Sequence, residues 1–249
     1  MQNKKQKEKQ KADDHLNRLA EIKAKRRNEP SLERTAAKKD VYPRYLIYCE
    51  GKNTEPSYFN QFKLSTLTVE AFGEGKNTLS LVKEAKKIAE KAKKEGKEFK
   101  KVWCVFDADP KRDNPKQLQN FNNAITLAKS LGFEVAYSNQ AFEYWLLLHF
   151  NDHQGAAMYR TLYGTHLNTY LSEFNIYYDY NNSKIIDSHF FNILMMIALE
   201  HKNGKTFTRT DIAIKRAEKV YARLDHLNPG KEESSTTVFK LVKQLLKFQ

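Results

Sequence analysis

The 249-residue chain carries a formal net charge of +13, from 43 Lys and Arg against 30 Asp and Glu, and is 40% hydrophobic. A chain of that length buries a core without disulfide staples, and its two cysteines, Cys49 and Cys104, sit in apolar runs with no CxxC, which excludes a disulfide framework or zinc knuckle and points to a reducing, cytoplasmic setting. No window approaches the roughly 18 apolar residues that span a bilayer, and no apolar segment follows the charged start, so neither secretion nor membrane insertion is expected.

The charge is local. Residues 1–40 hold 13 Lys and Arg against 7 acids, and residues 76–101 hold 10 against 4, a net +6 in each. Residues 1–40 are poor in aromatics and read as a basic arm, either a solvated helix or disordered. Pro43 opens the globular part. "RYLIYCE" reads as a short buried strand, and "PSYFNQFKLST" as a helix with Pro56 in its first turn and Tyr58, Phe59 and Phe62 at helical spacing.

From Thr78 an amphipathic helix sets Leu81, Val82, Ala85, Ile88, Ala89 and Ala92 on one stripe and lysines opposite, and Gly96 closes it. "KVWCVFDAD" is a second strand, "NFNNAITLAKSLG" a helix closed by Gly132, "FEVAYSN" a third strand, and "AFEYWLLLHF" an apolar helix. This alternation predicts an α/β core over residues 41–150, with a mostly parallel sheet flanked by helices. Residues 151–249 read as a mainly helical portion packed on that core. Its segments are "MYRTLYGTHLNTYLSEFNIYYDY", "FFNILMMIALEHK", "TDIAIKRAEKVYARLDHL" and "TTVFKLVKQLLKF".

Two of the predicted strands end in acids, Glu50 after "LIYC" and Asp107 with Asp109 after "VWCVF". If these strands are parallel neighbours, the carboxylates meet where α/β sheets place their functional crevice. Crowded carboxylates raise one another's pKa unless a cation is present. Mg²⁺, or Mn²⁺ in its place, suits an all-oxygen donor set that leaves waters for substrate phosphates. Glu50, Asp107 and Asp109 are the expected ligands, Glu55 a further one, and Glu143 a ligand or general base. Two ions about 4 Å apart would clamp an in-line phosphoryl displacement, so phosphodiester cleavage is the expected chemistry. DxD also occurs as a plain turn.

Lys52, beside Glu50, is a candidate to neutralise charge on the scissile phosphate. His149 is read as a structural histidine, as a hydrogen-bond partner of a ligating carboxylate, or as an aid to proton transfer. Its HxxxH spacing to His153 lacks the HExxH of a metalloprotease. "NGKTFT" lacks the first glycine of a phosphate-binding loop, so nucleotide hydrolysis would need a separate ATPase. On the basic helix, Lys83, Lys87, Lys94 and Lys101 are candidates for a track along a nucleic-acid backbone. The same lysines also fit a solvated helix face. The aromatics at 58–62 and Tyr177, Tyr178 and Tyr180 suit either base stacking or core packing.

A strand ending in Glu-Gly followed by one ending in DxD resembles the TOPRIM domain of topoisomerases, primases and OLD-type nucleases. More closely, "YCEGKNTEPSYFNQF", "VWCVFDADP", "SNQAFEYWLLLHF" and "NPGKEESSTTVFKLVKQLL" together resemble the RloB-like proteins, a bacterial family related to TOPRIM, from about residue 44 to the C-terminus. The resemblance implies a TOPRIM-like fold. It puts Glu50, Asp107 and Asp109 in the places of the TOPRIM acids, makes Glu55 the second acid of EGxxTE, and sets Glu143 and His149 in the later block. It also implies a role in anti-phage defence beside an ABC- or AAA-type ATPase partner. The basic arm lies outside it, and the long insert in "NPGKEESSTT" departs from it, so neither inherits a role. The expectation is a Mg²⁺-dependent nuclease acting on DNA or RNA. The alternative is a nucleic-acid-binding or adaptor subunit without catalysis.

Overall fold

The chain divides into two units, residues 1–41 and 42–249, in a computed structural model that describes residues 2–27, 42–109, 116–156, 158–201 and 203–249. In the first unit, α1 (Gln2–Arg27) is a helix without an apolar stripe, and even Leu16, Leu19 and Ile22 are exposed. This agrees with the solvated-helix form of the basic arm as far as Arg27. The rest of the arm lies outside the described residues.

The second unit follows the expected α/β alternation. β1 (Arg44–Cys49), α2 (Thr54–Phe59), β2 (Thr68–Gly73), α3 (Thr78–Lys94), β3 (Lys101–Asp107), α4 (Lys116–Ser130), β4 (Glu134–Asn139) and α5 (Phe142–Leu147) build it as far as the third block. α6 (Arg160–Leu171), α7 (Ser188–Met195), β5 (Ile197–Glu200), β6 (Thr206–Thr208), α8 (Arg209–Tyr221), β7 (Ser235–Thr236) and α9 (Val238–Leu245) complete the chain. The main sheet has five strands in the order β2-β1-β3-β4-β7. β2, β1, β3 and β4 are mutually parallel, and β7 runs antiparallel to β4.

Alternation along the strands sorts the core into two layers. Leu46, Tyr48, Val102, Cys104 and Phe106 pack with Leu81, Val82 and Ala85 of α3 and Phe121, Ala124 and Ile125 of α4. Tyr45, Ile47, Cys49, Trp103 and Val105 face a larger layer that includes residues of α2, α5, α7, α8 and α9. Both cysteines are free and buried. Among the described residues, no helix is long and apolar enough to cross a membrane.

The structure differs from the sequence expectations in three places. β2 was not foreseen, because it is a half-exposed edge strand without an apolar run. The helix predicted from Pro56 stops at Phe59, and Tyr58, Phe59 and Phe62 are buried in edge-to-face contacts with Phe142 and Phe191. These rings are core, not a stacking platform. "FFNILMMIALEHK" is helical only to Met195, after which β5 and β6 form a hairpin. Gly204, with φ +77°, lets the chain reverse, and its N–H donates to the His201 carbonyl at 2.8 Å. The Asn-Gly pair is therefore a turn signal, not a remnant of a phosphate-binding loop.

Candidate active site

β1 and β3 lie side by side with Cys49 opposite Val105, so the residues that follow each strand emerge together at the carboxyl edge of the sheet. The Glu50 N–H continues the ladder to the Val105 carbonyl at 2.8 Å. Its carboxylate turns back to accept from the Asp107 N–H at 3.1 Å. β4 delivers a third segment to the same edge. The N–H of Phe142, at the start of α5, donates to Asp107 Oδ2 at 3.2 Å, and Glu143 follows in the first turn.

The result is a cleft of about 240 Å³ that gathers Glu50, Glu55, Asp107, Asp109 and Glu143 in one wall system. Lys52, exposed, also lines it. The five carboxylates come from the segments at the carboxyl ends of β1, β3 and β4.

Glu55 is held over Gly51. A Cβ on Gly51 would lie 2.3 Å from Glu55 Oε2, so the glycine of the EGxxTE stretch makes room for the second acid. Gly73 is equally constrained, because a Cβ there would lie 1.9 Å from the Gly51 carbonyl oxygen. The loop after β1 rests directly on the end of β2.

Burial dominates the electrostatics. Glu55, Asp107 and Glu143 are all buried. Asp107 is pushed well above the usual carboxylate range by burial; Arg160 opposes the rise, while Glu55, Glu143 and Glu50 add to it. Glu55 is raised by burial and by Glu143, against backbone N–H groups of its own residue and Gly51. Glu50 is raised to about 7, mainly by burial and further by Glu55 and Asp109, with the Asp107 N–H working the other way. The site is thus short of positive charge.

Arg160, at the start of α6, supplies part of that charge and belongs to no motif legible in the sequence. Its Nη1 lies 3.1 Å from Asp109 Oδ1 and its Nη2 3.8 Å from Asp107 Oδ2. Burial works against the guanidinium charge, but Asp107, Glu143 and Asp109 outweigh it. Tyr178 is a second addition, its hydroxyl donating to Glu143 Oε1 at 3.1 Å and lying 3.1 Å from Thr54 Oγ1. Lys184 is a third, lining the cleft from the loop after Tyr178. These residues lie in segments without strong periodicity, and no short motif marks them.

Other candidates fall elsewhere. His149 is buried and does not line the cleft. Its Nδ1 lies 3.0 Å from the Trp145 carbonyl and its ring packs edge-on against Trp145. Burial lowers its pKa to about 3, which suits a core histidine. His153 Nε2 lies 2.7 Å from the Ala156 carbonyl. Lys94 ends α3 and Lys101 begins β3. The nearby Lys100 N–H donates to the Arg44 carbonyl at the start of β1, so this corner is the amino edge of the sheet, opposite the carboxylates. Lys87 pairs with Glu84 at 3.0 Å and Lys101 with Glu134 at 3.4 Å. Lys83 is exposed on α3, and like the other three it does not line the cleft.

The donor set is chemically suited to a hard divalent cation, being all carboxylate and deficient in positive charge. Among the described residues, however, no three His, Cys, Asp or Glu side chains are grouped closely enough to hold a metal ion. Arg160 pairs with Asp107 and Asp109 in this cleft.

No curated protein and no solved structure matches the chain. Residues 45–245 match the family model described as RloB-like protein, a span that takes in every carboxylate of the cleft together with Arg160, Tyr178 and Lys184, and the chain belongs to the RloB-like family.

Proposed function

We propose that this protein is a Mg²⁺- or Mn²⁺-dependent nuclease with a TOPRIM-like site, acting in anti-phage defence. The observation that carries the reading is the convergence of five buried or half-buried carboxylates, with raised proton affinity at Glu50, Glu55 and Asp107, at the carboxyl edge of a parallel sheet. Glu50, Asp107, Asp109 and Glu55 line one cleft and would hold the ion once drawn closer together than they stand here. When bound, it supplies positive charge to the phosphate oxygens and acidifies a water.

The chain's own residues do the rest. Lys52, Arg160 and Lys184, which line the cleft, present positive charge to an incoming phosphodiester. Arg160, which pairs with Asp107 and Asp109, would turn its guanidinium to the phosphate. Glu143, fixed by Tyr178, is positioned to accept a proton from the attacking water. Family membership supports the defence setting.

One observation favours a second reading, that of a non-catalytic nucleic-acid-binding subunit working with a partner ATPase. Arg160 already pairs with Asp107 and Asp109, as a structural ion pair would. The two readings separate by incubating wild type, Glu50→Ala and Asp107→Ala with DNA and RNA, including transfer RNA, in Mg²⁺, Mn²⁺ or EDTA. Metal-dependent cleavage by wild type alone is the expected result. No cleavage, with nucleic acid bound equally in metal and EDTA, selects the binding subunit.

A further inference from the structure

The carboxylate cleft is the middle of three adjoining cavities. On one side it shares Glu143, Arg160 and Lys184 with a cavity of about 330 Å³ that Tyr180 and Asn181 also line. On the other it shares Glu50 and Asp109 with a cavity of about 420 Å³ at the start of α3, lined by Lys76, Asn77 and Asn120. The acids therefore sit partway along a groove and not at a blind end.

Both outer limbs carry groups that suit a polynucleotide. Each has a cation and side-chain amides, Lys184 with Asn181 on one side and, on the other, Lys76, which also pairs with Glu74 at 3.0 Å and Glu84 at 3.6 Å, with Asn77 and Asn120. The first limb adds an aromatic wall. The ring of Tyr180 lies so close over Gly164 that a Cβ there would approach it to 2.1 Å, and its hydroxyl is 3.1 Å from Thr165 Oγ1. The loop that brings Lys184 and Tyr180 together is tightly made. The Asp179 carboxylate accepts from Asn182 and Ser183, and Asn53, from the loop after β1, donates to the Ser183 carbonyl at 2.9 Å.

Two of the four non-glycine residues with positive φ among the described residues, Asp109 at +37° and Lys184 at +52°, line this groove. Such conformations cost energy and concentrate at functional sites. The cavities are each of a size to seat a small group, so a base reaches them only when unpaired.

We propose that the groove seats an internal stretch of single-stranded nucleic acid, with one flank of the scissile phosphate over Tyr180 and Lys184 and the other over Lys76. Cleavage is then endonucleolytic. This rests on the nuclease reading for the chemistry but not for the binding. The cation and ring pattern is the one single strands use elsewhere.

The test uses the full chain and a labelled circular single strand, DNA and RNA in turn, with binding followed in EDTA and cutting in Mg²⁺ or Mn²⁺. Wild type is expected to bind the circle and to cut it. Tyr180→Ala should weaken binding about 10-fold, and Lys76→Ala should weaken it several-fold and reduce its salt slope by about 1. Lys184→Ala reads the first limb independently if Tyr180→Ala fails to fold. Binding of linear strands but not circles, or weakening by variants of one limb only, overturns the proposal. A circle bound through both limbs but never cut supports the track and overturns the nuclease reading alone.

Discussion

Arg160 Nη1 lies 3.1 Å from Asp109 Oδ1, which ties the first turn of α6 to the loop after β3 in the middle of the carboxylate cleft. On the proposed metal site a divalent ion would neutralise the same acids that the guanidinium pairs with, and the two would compete. Arg160→Ala should tighten Mg²⁺ or Mn²⁺ binding by calorimetry while lowering stability in EDTA by about 1–3 kcal/mol, since it leaves buried carboxyls without their partner. Added metal should restore most of that loss in thermal melts. Unchanged metal affinity would show that the arginine and the ion do not share a place.

Glu50 has its pKa raised to about 7, first by burial. Below that value it holds a proton that a cation must displace, and above it the carboxylate is already free. Metal affinity should therefore rise as pH increases from 6 to 8, with proton release on binding to which Glu50 contributes beside Glu55 and Asp107. Calorimetry in buffers of different ionisation enthalpy measures this directly. Glu50→Gln should release fewer protons than wild type, and a pH-independent affinity in wild type would contradict the assignment.

Gly51 and Gly73 predict two different failures. Alanine at Gly73 meets the Gly51 carbonyl oxygen at 1.9 Å, a backbone clash that should cost about 2–4 kcal/mol in denaturant melts. Alanine at Gly51 meets only the Glu55 carboxylate, at 2.3 Å, so it should displace the acid with under about 1 kcal/mol lost. Metal-dependent cleavage by Gly51→Ala should nonetheless fall at least 10-fold.

His149 provides a stability signature. Its pKa is lowered from 6.5 to about 3, mainly by burial, so the unfolded chain takes up a proton at mildly acid pH and the folded chain does not. Stability from this group is fully present above pH 6.5 and falls as pH drops through the window down to about 3. Between pH 7 and pH 5 the loss should be about 2 kcal/mol. A folded His149→Gln variant should show a flatter profile over that range and keep cleavage per folded molecule within about 3-fold; a larger loss of cleavage would return this residue to the mechanism.

Lysines at opposite edges of the sheet should behave oppositely. Lys52→Ala, in the cleft, should lower turnover about 10- to 100-fold, as loss of charge beside a phosphate does. Lys101→Ala, paired with Glu134 at 3.4 Å at the amino edge, should leave turnover unchanged. Equal kinetics for wild type and Lys52→Ala would remove Lys52 from the reaction.

The parallel core was legible in the sequence, and so was the strand-end position of three acids. Apolar runs of strand length at "RYLIYC" and "KVWCVF" bury both faces of a central strand, and an acid just past each run has only the carboxyl edge to occupy. That local logic brings Glu50, Asp107 and Asp109 to one edge, and in the structure they line a single cleft together with Glu55 and Glu143. It failed for β2, whose half-exposed edge position needs no apolar run. It also failed for the β5–β6 hairpin, whose strands are largely solvent-facing and leave no burial pattern to read.

Which cations line the carboxylate cleft depended on long-range packing. Lys52, Arg160 and Lys184 come from three separate segments, and a lysine or arginine looks the same in sequence whether it reaches water or a carboxylate. Charge density favoured the α3 lysines, but a helix that starts at the carboxyl edge of the sheet carries its last turn to the far side. His149 was settled the same way, by the folding of its own helix end against Trp145, because the number of neighbours around an imidazole is a property of packing and not of spacing along the chain.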